Sequence, residues 1–249
     1  MEVHAHTHTA RKKWTHYLWE FLMLFLAVFC GFLAENFREH RVESHRGKKY
    51  IQSLIEDLKN DTAEVNAVIA FNITKLRGLD TLATLLNQPT LNEIGEKELY
   101  RLNSKYASNI NTLTFHDRTM RQLLNSGNMR LIEQSVSDTI MNFYGQAKDE
   151  IISQEDVYEE MSKRLIFFAE DVFDKSVSPL KIRDDYSFYR EDTLVRKSLL
   201  TREKSVLKKY AQAVTTAQGM LAVYLDLIFD IKNKADRLIP YLRKEYHLN

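Results

Sequence analysis

The stretch from Trp14 to Phe37, WTHYLWEFLMLFLAVFCGFLAENF, constrains this chain more than any other, because a soluble fold has little use for it. No charged residue occurs between Phe21 and Ala34. With Tyr17, Leu18 and Trp19 the apolar run reaches about 18 residues, which at ~1.5 Å each roughly covers a hydrocarbon core. Glu20 is the one charge that interrupts it. On insertion scales a centred acid costs about 2.5 to 3.5 kcal/mol, while each Leu, Phe or Val returns roughly 0.3 to 0.6. About ten such residues between Leu18 and Leu33 return roughly 3 to 6 kcal/mol, and Glu20 lies toward one end, where its cost is lower. Insertion wins, and Trp14, Tyr17 and Trp19 fit an aromatic belt at that end.

The basic residues Arg11, Lys12 and Lys13 followed by an apolar run also resemble a cleavable signal peptide. Processing needs small residues three apart, and before Glu35 the pair is Phe32 and Ala34; lipoprotein processing at Cys30 meets Phe29. An uncleaved signal anchor is therefore expected. Along it Glu20, Ala27, Cys30, Gly31 and Ala34 fall near one helix face, with Ala27 and Gly31 forming a small-xxx-small pair. That face is a candidate self-association seam with Glu20 at its end. The alternative is a chance pairing of small residues, with Glu20 merely reaching the headgroups.

The remainder reads as helix. The 249 residues contain only seven glycines and three prolines, too little punctuation for a sheet protein. The formal charge is +1 with acids and bases interleaved, so no electrostatic footprint for nucleic acid exists. Cys30 is the single cysteine, which excludes intramolecular disulfides and thiolate metal clusters.

Residues 1–13 form a polar arm in which His4, His6 and His8 share one face of an extended chain. Three imidazoles so placed can chelate Zn, Cu or Ni. The arm is too short to fold, however, and supplies no second set of groups to fix the rings. Orientation is read from flanking charge. Arg38, Arg41, Arg46, Lys48 and Lys49 outnumber the three basic residues before the span, and a bare count puts the following domain in the cytoplasm. Signal-anchor logic says the opposite, since a short basic N-terminus stays inside and long domains translocate largely regardless of charge. We take the extracytoplasmic side as the expectation.

Residues 38–49 are expected to continue the helix as a charged stalk, loosened at Gly47, and 50–249 to form the soluble domain. Its first helix carries Ile51, Ile55, Leu58, Thr62, Val65, Ile69, Asn72, Leu76, Leu79, Ala83 and Leu86 at alternating spacings of four and three, the seam of a packed helix. Asn72 reads as a register-setting or partly exposed polar residue. Asn87-Gln88-Pro89 stops this helix, and Thr90-x-x-Glu93 resembles a capping box. Two short helices follow, near 96–107 and 115–124, the second with a cap at Thr114-x-x-Asp117. His116 and Asp117, pointing about 100° apart, read as surface or capping residues. Ser126-Gly127 is a helix stop, with Gly127 able to turn left-handed.

The pattern Leu123-x-x-Ser126-Gly127-x-x-x-Leu131-Ile132, followed by Ile140 and Phe143-Tyr144, resembles that of an uncharacterised family of bacterial single-span membrane proteins. Similar too are Gly31-Phe32-x-Ala34-Glu35-Asn36 closing the span, Tyr50-Ile51-x-Ser53-Leu54-x-Glu56-Asp57-Leu58 opening the rod, and the histidine-rich arm. The resemblance runs from the arm to Tyr144. It implies a bacterial inner-membrane protein with a helical soluble domain, and it carries over no activity and no catalytic residue.

Two long helices complete the chain. One has its seam at Val136, Ile140, Phe143, Ala147, Ile151, Gln154, Tyr158, Met161, Leu165, Phe168 and Val172 and ends near Ser178-Pro179. The other has its seam at Leu207, Tyr210, Val214, Ala217, Leu221, Tyr224, Ile228, Ile231, Ala235, Leu238 and Leu242, with Pro240 as a candidate kink. The segments 48–86 and 135–174 both span about 60 Å and match as partners. The expected fold is all-α: one transmembrane helix, then an elongated up-down-up-down four-helix bundle with one helix split in two.

The chain has no Gly-x-x-x-x-Gly-Lys loop, His-Glu-x-x-His, Gly-x-Ser-x-Gly or Glu-x-x-His, and the seams are almost wholly apolar. The sequence therefore points to a non-enzymatic, cofactor-free, membrane-anchored bundle. It would act as a scaffold or sensor-like module whose partners are the lipid bilayer and either copies of itself or another membrane protein. A metal-handling role for His4, His6 and His8 is the second reading. A channel-like oligomer through the Ala27 and Gly31 face is the third.

Overall fold

The computed structural model describes residues 14–107, 109–174, 180–184, 187–190 and 199–248. Helix α1 runs unbroken from Trp14–Leu86, 73 residues, or about 110 Å. It is followed by α2 (Glu93–Leu102), a π-turn (Asn103–Ala107), α3 (Arg118–Asn125) and a 3₁₀ turn (Asn128–Leu131). Then come α4 (Gln134–Asn142), a second π-turn (Phe143–Ala147), α5 (Lys148–Glu170) and finally α6 (Lys204–Glu245). The fold is all-α in class. Its one departure among the described residues is a hairpin of β1 (Leu180–Ile182) and β2 (Phe188–Arg190), paired antiparallel with Lys181 opposite Tyr189.

Every residue from Trp14 to Val42 is exposed. The apolar window in this part of α1 has a mean hydropathy of 2.0 and none of it is buried, so the N-terminal helix has the length and composition of a membrane span or signal sequence. A window in α6 also reaches 1.3. That helix, however, is the core of the folded domain, packed against both α1 and α5, and all eleven of its predicted seam residues are buried. In α1 the seam is buried too, apart from the half-buried Thr62 and Leu76.

Two sets of contacts define the ends of the packed region. At the end nearer the apolar window, Asn128 Nδ2 donates to Tyr50 Oη (2.8 Å), Glu133 N to Tyr246 Oη (3.2 Å) and Lys48 Nζ to the His247 carbonyl (3.4 Å). At the far end Asp174 N donates to Tyr100 Oη (3.0 Å), and Arg202 grips the buried Glu96 through two hydrogen bonds (2.6 and 3.0 Å). The successive columns therefore run antiparallel, with α2 and α3 together forming the second.

Several local expectations are corrected. Thr90 does not cap α2; Asn92 does, its side chain accepting from Gly95 N at 2.8 Å. Asp117 precedes α3 without a side-chain cap and pairs with Arg121 at 2.8 Å instead, and α3 begins at Arg118 rather than near 115. Gly127 does adopt the left-handed region, at φ 65°. Pro240 lies within α6, which continues to Glu245. The expected stop near Pro179 lies outside the described residues.

Gly47 is no loose joint. It is buried within α1, and a Cβ there would collide with the Leu131 carbonyl oxygen. Packing thus begins at Gly47, ahead of the expected boundary at 50. Gly219, exposed on α6, has no atom within 4 Å of where its Cβ would stand. The same substitution should therefore have opposite signs at the two sites. Gly47→Ala forces backbone apart and should cost about 1 to 2 kcal/mol net. Gly219→Ala should gain about 0.5 to 1 kcal/mol by lowering backbone entropy. Urea unfolding of both variants checks the pair, and a stabilised Gly47→Ala would show that α1 and the 3₁₀ turn are not in close contact.

Candidate functional site: a polar layer around a non-helical segment

In the second column the chain between the first π-turn and α3 is not helical over 109–117. Backbone packed between helices without its own i→i−4 partners must find others, because a buried orphan donor costs as much as a lost hydrogen bond. Polar side chains from three helices supply them. Leu113 N donates to Glu155 Oε1 (2.9 Å) and Tyr224 Oη (2.8 Å), and Thr114 N to Glu64 (3.1 Å). His116 N donates to Asp61 Oδ1 (2.6 Å), and at the start of α3 Thr119 N donates to Asp57 Oδ2 (3.0 Å). The carbonyl of Asn111 accepts from Asn72 Nδ2 (3.0 Å), and that of Asn109 accepts from Lys75 Nζ.

Asp57, Asp61, Glu64, Asn72 and Lys75 follow one another at i, i+4, i+7, i+15 and i+18, a single face of α1 bordering its apolar seam. Asp57, Asp61, Asn72 and Lys75 are all buried. The expectation of almost wholly apolar seams therefore fails on α1, because the column it faces there offers bare backbone rather than a helix surface. Asn72 is fully buried, not partly exposed. His116 is more than a surface residue, since its Nδ1 lies 2.9 Å from Asp61 Oδ1.

Lys75 is the most unusual of these groups. Its side chain is 2% exposed, its ammonium also donates to Tyr158 Oη at 2.8 Å, and it has no ion-pair partner among the described residues. Burial without a carboxylate disfavours the charged form, and the pKa falls from 10.5 to about 8. Tyr158 stacks on Tyr224 with ring centroids 5.4 Å apart, and Tyr224 Oη donates to Glu155 at 2.6 Å. Burial raises the Glu155 pKa, partly offset by the hydrogen bonds it accepts from Tyr224 and Leu113. Asp61 is likewise raised, first by burial, against the opposing effect of its bonds from His116.

A perturbed lysine beside a tyrosine is the kind of pair that can move a proton. Here each group already holds backbone or a neighbour, although Asp61 Oδ2 and Asn72 Oδ1 are buried without a partner among the described residues, and of the layer only Thr119 lines a cleft at the bundle base. The layer's chemistry is the satisfaction of a segment that cannot satisfy itself.

The sequence-derived site residues fall elsewhere. His4, His6 and His8 lie outside the described residues, and among the described residues no group of three His, Cys, Asp or Glu side chains is placed to hold a metal ion. Glu20, Ala27, Cys30, Gly31 and Ala34 all stand on the exposed part of α1, with nothing within 4 Å of where a Gly31 Cβ would be. The polar layer was missed because acids at helical spacing normally mark a solvated face. Its signal was the largely polar run at 108–112, interrupted only by Ile110, which required partners if it lay inside a bundle. Comparison of the chain with protein-family models, curated proteins and solved structures finds no match.

Proposed function

We propose that this protein is a non-enzymatic, single-pass protein of a bacterial inner membrane, whose N-terminal helix is an uncleaved anchor and whose four-helix bundle stands in the periplasm as a scaffold or sensor-like module. The observation that supports this reading is the continuity of α1. One helix carries an apolar window with no buried residue and, without a break, the packed seam of the bundle. An apolar surface of that size left in water is strongly unfavourable, whereas in a bilayer it is matched to its solvent. Because Gly47 locks α1 against the Leu131 carbonyl, a rotation or shift of the anchor would be carried into the bundle rather than absorbed by a hinge. The partner would be the bilayer together with another copy or a second membrane protein.

The test is topology. In a Cys30→Ser background, Lys97→Cys and Lys204→Cys are treated with a membrane-impermeant thiol reagent. Labelling should occur once the outer membrane is permeabilised and before the inner membrane is lysed. Labelling only after inner-membrane lysis would place the bundle in the cytoplasm and overturn the envelope reading.

A further inference from the structure

The bundle end nearest the apolar window carries a concentration of cations that the polar layer does not use. Arg46, Lys49 and Ser53 lie at i, i+3 and i+7 on α1 and face Arg118 and Gln122, at i and i+4 on α3, across a cleft of about 610 Å³. The bond from Asn128 to Tyr50 and the contact of Leu131 with Gly47 hold the two sides together. A second groove, sharing Arg46 and Lys49, continues along α1 past His45 and Arg41 to Phe37 and Ala34. Among the described residues no carboxylate lines either groove. Of the nearby acids, Glu35 pairs with Arg38, Glu43 with Arg130 (3.2 Å) and Asp117 with Arg121 (2.8 Å), and Asp57 holds Thr119 N, while Glu39 and Glu56 have no ion-pair partner among the described residues. Among the described residues Arg41, Arg46, Lys49 and Arg118 have no ion-pair partner.

Such a set of unpaired cations repels itself and lacks only an anion. We propose that this track binds the phosphate of an acidic phospholipid from the leaflet in which the apolar window of α1 ends, an inference that rests on the membrane-anchor reading. The placement favours this occupant. Arg41 stands four residues beyond Phe37, about 6 Å along the helix, at the depth of the headgroup layer. Lys49 stands about 18 Å beyond, and long basic side chains lean back toward the interface. The cations thus form a ladder from the bilayer surface into the cleft. Each basic residue near an acidic surface strengthens attachment roughly fivefold, and less so at high salt.

The test uses the full chain in detergent micelles doped with equal amounts of phosphatidylglycerol and phosphatidylcholine, with bound lipids counted by native mass spectrometry. The wild type should retain phosphatidylglycerol at least about tenfold over phosphatidylcholine. Arg41→Gln, Arg46→Gln and Lys49→Gln together should bring the preference within about twofold. These side chains are exposed, so the fold should survive. A control removing three cations at the far end, Lys97→Gln, Arg101→Gln and Lys204→Gln, should keep the preference. Equal retention of both lipids by the wild type, an equal loss in both triple variants, or saturable binding of inorganic phosphate without lipid preference would each overturn the proposal. Carbonate extraction of membranes separates it from the anchor reading. A chain released by carbonate sinks the anchor, whereas one that stays embedded but shows no lipid preference sinks only the headgroup site.

Discussion

Replacing Asp57 and Asp61 together by alanine is expected to remove roughly 3 to 5 kcal/mol of stability. Both carboxylates are buried, and each holds a backbone N–H that has no helical partner: Thr119 N at 3.0 Å from Asp57 and His116 N at 2.6 Å from Asp61. A hydrogen bond to a charged group contributes about 1.5 to 3 kcal/mol, and its removal leaves a buried donor unsatisfied. The double loss should slightly exceed the sum of the single losses. The carboxylates are one helical turn apart and repel, and Asp57 helps to push the Asp61 pKa upward after burial has done so. Each single removal also relieves that repulsion, which can be relieved only once, so the double variant should cost about 0.5 kcal/mol more than the sum of the singles. Urea unfolding of the four members of the cycle measures this. Amide exchange should accelerate across 109–119 and not in the centre of α6. A double variant within about 1 kcal/mol of wild type would mean that the segment is held by something other than these acids.

Lys75→Met is expected to remove a contribution that raises wild-type stability between about pH 8 and pH 10.5, against the opposing ionisation of tyrosines in the unfolded chain. The folded pKa of Lys75 lies near 8 and the unfolded value near 10.5. Below that window both states carry the ammonium, and the folded state bears the full cost of burying it. Within the window the unfolded chain binds more protons, so stability increases with pH, and above it both states are neutral and the cost is gone. A difference of this size corresponds to about 3 kcal/mol. At neutral pH the variant should differ little from wild type. Relief of the buried charge, about 3 kcal/mol, is offset by the loss of the bonds to the Asn109 carbonyl and Tyr158 Oη, about 1 to 3 kcal/mol for each group left unpaired. The informative quantity is therefore the slope. Chemical unfolding of both chains across pH 7 to 10.5 should show curves that diverge; parallel curves would mean that Lys75 is already free to meet water.

Asp57, Asp61 and Lys75 have roles that are invisible in one dimension. They alternate with Leu58, Val65 and Leu79 along α1, and periodicity alone assigns the apolar set to the core and the polar set to solvent. That assignment holds wherever α1 meets another helix. It fails opposite 109–117, where the neighbouring column is bare backbone and the stable partner for α1 is a hydrogen-bonding face. Gly47 differs from its expected role for a related reason: a glycine between charged residues reads as a flexible point, and only the approach of Leu131 from a distant part of the chain turns it into a contact.

What the sequence determined by itself is everything that depends on local period and composition. The apolar window after Trp14, the seams of the long helices and the left-handed turn at Gly127 are properties of short windows, and all eleven seam residues of α6 are buried as their spacing requires. Which polar groups meet across the bundle depends instead on how its columns pack. The pairing of Lys75 with the Asn109 carbonyl, of Glu155 with Leu113 and Tyr224, and of Arg46 and Lys49 with Arg118 across one cleft joins residues far apart in the chain. Hydrophobic burial is non-directional and is encoded in the pattern. Hydrogen bonds and charge clusters are directional or short in range, so they exist only once the columns have taken their register.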